Sequence, residues 1–86
     1  MTSATVVVRY FAAARAAAGA ETEKVQLAEG ATVADLLAAL AAEHGPDLGR
    51  VLERCSYLLD EVAVRDRSAV PADGATLDVL PPFAGG

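Results

Sequence analysis

The residues of greatest chemical interest stand last: Pro81-Pro82-Phe83-Ala84-Gly85-Gly86. A glycine α-carboxylate has a pKa near 3.5, is ionised at neutral pH and is a poor electrophile. Joined to AMP it becomes an acyl-adenylate that a sulfur nucleophile can attack, and the product, a thiocarboxylate, is a soft sulfur donor on an arm. Two glycines without Cβ atoms pass a channel closed to any other residue. Two prolines fix φ and carry no N–H, so they stiffen the segment before them. Six residues at about 3.3 Å each reach on the order of 20 Å. Gly makes up roughly 7% of residues in general, so a chance Gly-Gly at a given place has a frequency of about 0.5%. A frayed end also has no use for Pro-Pro-Phe ahead of it. The expectation is that residues 81–86 form an extended, flexible tail whose reacting group is the carboxyl of Gly86.

Other groups carry weaker signals. Cys55 is the only cysteine, which excludes a disulfide framework and points to a reducing compartment. A lone thiol can be a nucleophile, but one in an apolar strand is more often core, and core is the reading taken. His44, with Glu43 and Asp47, has the residue types of an acid–base or metal site. It also stands beside Gly45-Pro46, where a helix must end and where a histidine meets the helix dipole favourably. The dipole reading is preferred, and no metal site is assigned. Arg65, Asp66 and Arg67 read as a solvated loop pair. Arg15 has two open readings, a partner contact or a surface position on a short helix.

Composition narrows the partners. The chain has 86 residues, enough for one domain and one core. Its 53% hydrophobic and 22% charged residues fit a globular protein rather than a disordered one. Twelve acids against seven bases leave a formal charge of −5, the wrong sign for a phosphate-binding surface, so no nucleic-acid partner is expected. The acidic balance favours a protein partner with a basic face. No window approaches the roughly 18 apolar residues of a membrane span, so no membrane association is expected. The opening Met-Thr-Ser-Ala-Thr lacks the basic region of a signal peptide, and a cytoplasmic protein is expected.

The elements that must position the tail follow from periodicity. Ala4–Phe11 alternates as a strand, with Val6, Val8 and Tyr10 on one face and Val7, Arg9 and Phe11 on the other. Ala12–Ala18 suits a short helix capped by Gly19. Glu21–Leu27 alternates again, and Glu29-Gly30 turns the chain, so the first two strands pair around the short helix. Thr32 and Asp35 mark a helix start, and Val33, Leu36, Leu37 and Leu40 form its apolar stripe. That helix runs to His44, and Asp47 is expected to cap a second helical turn through Leu52. Ser56–Leu59 and Val62–Val64 read as strands around Asp60-Glu61. An irregular stretch then leads to a last strand, Ala75–Leu80. This order suits an α+β fold of β-grasp layout, a mixed sheet of about five strands on one main helix, with residues 1–80 as the domain.

Tyr10-Phe11-Ala12-Ala13-Ala14-Arg15 followed by Gly19 resembles the YFAxxR…G segment of the small subunits of molybdopterin synthases, ubiquitin-like sulfur carriers. Gly30-Ala31-Thr32-Val33-Ala34-Asp35-Leu36-Leu37 is similar to the GATVxxLL helix start of that family. Asp73-Gly74, with Leu77 through Gly86, is similar to its DGDEVAxxPPVxGG ending. The ending is the specific part. The resemblance covers essentially the whole chain and implies a carrier rather than an enzyme in its own right. An E1-like adenylating enzyme would use ATP to adenylate Gly86, and a sulfurtransferase or cysteine desulfurase system would convert it to the thiocarboxylate. No permanently bound cofactor is implied. The large synthase subunit would receive the tail and hold the active site where cyclic pyranopterin monophosphate becomes molybdopterin. Pro81, Pro82, Phe83, Ala84 and Gly85, with Phe11 and Arg15, are the implied partner contacts.

The chain departs from that family in two places. Leu59-Asp60-Glu61-Val62 stands where the family often has Asn, and Phe83 replaces a small aliphatic residue. Carriers for thiazole synthesis share the fold and the Gly-Gly end but normally lack the Phe-Ala-x-x-Arg segment and the Pro-Pro pair. A carrier for cysteine synthesis and a ubiquitin-like protein modifier remain as alternatives.

Overall fold

The computed structural model describes residues 3–82. Strand β1, Ser3–Tyr10, buries Val6, Val8 and Tyr10, as its alternation requires. Helix α1, Ala12–Ala18, follows, and strand β2, Thr22–Ala28, pairs antiparallel with β1. Gly19 ends α1 at φ 73°, and its N–H donates to the Arg15 carbonyl at 3.0 Å. A Cβ there would be strained, which is why glycine closes this turn.

Helix α2, Val33–His44, starts at a reciprocal cap: the Asp35 N–H donates to Thr32 Oγ1 at 3.1 Å, and the Thr32 N–H to Asp35 Oδ2 at 2.9 Å. Its stripe of Val33, Leu36, Leu37 and Leu40 is buried. Full burial of such side chains is worth roughly 1.5–3 kcal/mol each, against about 1 kcal/mol for a cap. The stripe therefore holds the helix, and the cap sets where it begins.

Helix α3, Pro46–Leu52, differs from the sequence expectation in its start. Gly45, at φ 97°, precedes Pro46 at the first helical position, and Asp47 lies inside the first turn bonded to Arg50 at 2.5 Å. A proline whose fixed φ suits the first turn displaces the acid from the capping role. Leu48 and Leu52 of α3 complete the core.

Strands β3, Ser56–Leu59, β4, Val62–Ala63, and β5, Thr76–Leu80, finish a five-stranded sheet in the order β2-β1-β5-β3-β4. β5 runs parallel to β1, and the other neighbours are antiparallel, so the sheet is mixed. β4 is shorter than expected and ends at Ala63, although the Val64 N–H still donates in register to the Tyr57 carbonyl at 2.9 Å. Asp60 and Glu61 take φ 47° and 69° at the β3–β4 turn. Asp60 is tied to β5 twice, since its N–H donates to the Thr76 carbonyl at 2.8 Å and its Oδ1 accepts the Thr76 N–H at 2.9 Å. Mixed sheet, helices on one face and central β5 together are the β-grasp arrangement expected from the sequence.

The Arg65–Arg67 stretch is an exposed loop, as expected, but its acid bonds to a serine and to neither arginine. Asp66 caps Ser68, accepting its N–H and its hydroxyl, and these bonds lower the Asp66 pKa. Arg67 stacks over the Tyr57 ring at 5.1 Å.

Candidate functional site

Parallel pairing decides where the tail leaves the domain. The last β1–β5 pair is Tyr10 with Val79, so both strands end on the same side of the sheet. β1 continues into Phe11 and α1. β5 continues through Leu80, which pairs with Ser56 of β3, into Pro81 and Pro82. Neither proline can donate to a ladder, so strand pairing stops at Leu80. Pro82 is exposed and Pro81 half-buried. Phe83, Ala84, Gly85 and Gly86 lie outside the described residues.

Phe11, set apart by motif in the sequence, stands at this exit, and Arg15 shares its cleft on the side toward β2. Phe11 precedes α1 in an extended conformation, φ −126° and ψ 150°, and offers no side-chain cap. It remains 40% exposed, an aromatic ring left open to water beside the root of the tail. Arg15 lies on α1 with its side chain out and pairs loosely with Glu21 at 3.6 Å. A shallow cleft of about 210 Å³ runs between them, lined by Arg9, Tyr10, Phe11, Arg15 and Glu21.

Two side-chain clusters that the sequence reading missed fix this corner. On the outer face, Arg9 grips Asp78 with both prongs, Nε to Oδ1 at 2.5 Å and Nη2 to Oδ2 at 2.7 Å. Asp78 is buried, so its carboxylate depends on that fork. These bonds, and the Asp78 charge, hold Arg9 more firmly protonated than usual. The Arg9 guanidinium also lies 5.9 Å from the centre of the Phe11 ring. The available signal was an acid inside the apolar run Leu77–Leu80.

On the inner face, Glu23 Oε1 accepts the Tyr10 hydroxyl and meets His44 Nε2 at 2.5 Å. The Tyr10 and His44 rings meet edge to face, 6.0 Å apart. Burial, then the bond to Glu23, raises the Tyr10 pKa well above its usual value. His44 therefore answers to β2, and neither Glu43 nor Asp47 is its partner. Alternation had put Glu23 on the same face as Val25 and Leu27, and a carboxylate on a core-facing row is a readable sign.

Cys55 lies at the same end of the molecule, just before β3 rather than within a strand. It is buried, its Sγ donates to the Val51 carbonyl at 3.2 Å, and burial pushes the thiol pKa up. A thiol so placed is a packing group, because the reactive form is the thiolate. Among the described residues, no group of three or more His, Cys, Asp or Glu is arranged to hold a metal ion, and no helix is long and apolar enough to cross a membrane.

The exit therefore pairs an exposed aromatic with a stiff proline step, and among the described residues its acids, Asp78 and Glu21, are held by Arg9 and Arg15 while Cys55 is buried. It suits recognition of a protein surface, with the chemistry carried farther along the chain.

Comparison with known proteins agrees with this layout. The profile of the ThiS family matches residues 8–86. The chain is 37% identical over 83 residues to a molybdopterin synthase sulfur carrier subunit from Chlamydomonas reinhardtii, covering 94% of this chain and 98% of that protein. Among solved structures, the crystal structure of SAMP1 from Haloferax volcanii superposes with a TM-score of 0.83 at 30% identity, over 95% of this chain and 99% of that one. A protein described as molybdopterin converting factor, subunit 1, from Pyrococcus furiosus gives a TM-score of 0.80 at 26% identity, over 93% and 99% of the two chains.

Proposed function

Since the chain belongs to the ThiS family, we propose that it is a sulfur carrier, the small subunit of a molybdopterin synthase. The observation that carries the proposal is the exit geometry: parallel β1 and β5 bring Phe11 to the root of Pro81-Pro82, and Arg15 shares the Phe11 cleft on the side toward β2. The 37% identity to a subunit bearing that name supports the choice of pathway.

The carboxylate of Gly86 attacks the α-phosphorus of ATP on an E1-like enzyme, releasing pyrophosphate and leaving an acyl-adenylate. A persulfide of a sulfurtransferase or cysteine desulfurase system displaces AMP to give an acyl disulfide, and a second thiol cleaves it, leaving the thiocarboxylate and a disulfide between the two thiols. The tail then enters the active site of the large subunit, and two such sulfurs convert cyclic pyranopterin monophosphate to the molybdopterin dithiolene. Phe11 and Arg15 dock on the large subunit. Pro81 and Pro82 aim the segment, Phe83 and Ala84 line its path, and Gly85-Gly86 fit where side chains do not. The carrier supplies sulfur and position, the large subunit the catalysis, and ATP is consumed at the activating enzyme. The work belongs to the cytoplasm.

The test is intact mass after incubation with ATP, an E1-like enzyme and a sulfur source, followed by mixing with a molybdopterin synthase large subunit. One oxygen-to-sulfur exchange at Gly86 and formation of molybdopterin are expected. Sulfur found on Cys55, or product only with a thiazole synthase or a cysteine-forming enzyme, overturns the assignment.

A second reading draws on the likeness to SAMP1, a small archaeal modifier protein, at 30% identity. The same adenylate would then pass to lysine amines and form isopeptide bonds. Conjugates that depend on the E1-like enzyme and contain the Gly86 carboxyl would support it.

A further inference from the structure

The Tyr10–Glu23–His44 cluster has no part in the chemistry above. We infer that Glu23 is a positioning residue for the docking corner: by holding Tyr10 and His44 on one oxygen it fixes the direction in which Phe11 and α1 leave the sheet. The inference rests on the proposed docking of Phe11 and Arg15.

Ala12, the residue after Phe11, stands at φ 50°. An alanine in the left-handed region is strained, and such a conformation persists only where its surroundings over-determine it. The first turn of α1 contributes backbone bonds, from the Ala14 and Arg15 N–H groups to the Phe11 carbonyl at 3.0 and 3.4 Å, but no side-chain cap. Downstream, buried Ala14 seats the helix on the core. Upstream, everything rests on Tyr10. Its N–H donates to the Glu21 carbonyl at 2.9 Å, its backbone pairs with Val79, and its ring is only 1% exposed. The hydroxyl at the far end of that ring goes to Glu23.

A carboxylate is an expensive choice for a row that otherwise buries Val25 and Leu27. Leucine would pack there without needing partners. What the carboxylate adds is direction: two donors from two elements, Tyr10 on β1 and the last residue of α2, converge on the same oxygen. The two elements are thereby held in one mutual arrangement immediately before the strained step. Since Tyr10 pairs with Val79, the same anchor keeps Phe11 in register with the root of the tail.

The experiment compares Glu23→Ala, Glu23→Gln and Tyr10→Phe with the unaltered chain, at a temperature where melts show every variant folded. Amide resonances are recorded on the free protein, with the dissociation constant for a molybdopterin synthase large subunit and the single-turnover rate at saturation. For Glu23→Ala, the amides of Phe11, Ala12 and Ala13 should move and Kd should rise about fivefold to tenfold, as for residues that act on a site without touching it. The saturated rate should stay within about twofold, because the reacting end is unchanged. Glu23→Gln keeps an acceptor for the Tyr10 hydroxyl and should recover most of the affinity. Tyr10→Phe keeps the ring but not the donor, and should show the same resonance shifts if Glu23→Ala does not fold. Unmoved Phe11 and Ala12 amides, or an unchanged Kd, overturn the inference. Failure of the unaltered chain to bind or supply that subunit removes the docking reading instead, and the resonances still decide whether Glu23 holds the corner.

Discussion

Removing one hydroxyl, in Tyr57→Phe, tests the joint between α3 and the sheet. Tyr57 is 4% exposed, and its O–H donates to the carbonyl of Leu52, the last residue of α3, at 2.6 Å. Phenylalanine keeps the ring and its stack with Arg67 but removes the shorter of two bonds to that carbonyl, which retains the Cys55 N–H at 3.3 Å. One such hydrogen bond contributes about 0.5–1.5 kcal/mol net, so a loss of about 1 kcal/mol is expected at neutral pH, or roughly 4–8 °C in Tm for a domain of this size. The alkaline behaviour supplies a second, opposite signature. Burial, first of all, pushes the Tyr57 pKa up to about 12, from about 10 in an unfolded chain. The unfolded form therefore releases its proton first, and the stability present below pH 10 is lost as pH rises through about 12. Two units correspond to roughly 2–3 kcal/mol of lost stability, which the phenylalanine variant does not lose. Tyr10 titrates in both proteins and leaves the difference unchanged. The two stability curves, measured by urea unfolding from pH 7 to 12, should cross: variant weaker at neutral pH, stronger at the alkaline end. Parallel curves, or equal stability at neutral pH, refute the assigned burial and bond.

Cys55→Ser should keep full sulfur transfer and cost about 1 kcal/mol in melts, because the hydroxyl inherits the bond to Val51 but not the apolar fit. A folded but inactive variant would make the thiol a relay. Glu61→Gly should stabilise the domain by about 0.5–1 kcal/mol by removing a side chain from φ 69° at the β3–β4 turn; a lower Tm contradicts that turn geometry. Adding one Ala after Gly86 shifts the reacting carbon by about 3.5 Å and should abolish transfer without changing Tm. Normal turnover by a chain whose mass still includes the extra residue would take Gly86 out of the mechanism.

Local signals in the sequence carried most of the elements. The Thr32–Asp35 cap, the Leu36–Leu37–Leu40 stripe and the alternation of β1 each involve neighbours within a few residues, so propensity and period reveal them. Asp60 shows the limit. Its pair with Glu61 reads as a turn, but the reason for an acid at that place is Thr76, and only the assembled sheet brings β5 alongside. His44 shows it more sharply, since its sequence neighbours Glu43 and Asp47 suggested a site while its partner comes from β2, 21 residues earlier. The corner that joins Phe11 and Pro81 depends on parallel pairing of the first and last strands. No local pattern encodes that register.

The placement of β5 has a consequence for how the protein is made. Strand β5 is the last element among the described residues and sits between β1 and β3, where Arg9 must wait for Asp78, 69 residues on. Closing so long a loop is the slow, non-local step of folding. A nascent chain lacking β5 has β1 and β3 with open edges and no continuous sheet under α2. Synthesis interrupted before Leu80 thus yields material for the proteases, not a shortened carrier that competes for the docking surface. Any molecule that sets Phe11 beside Pro81 has already been translated through β5.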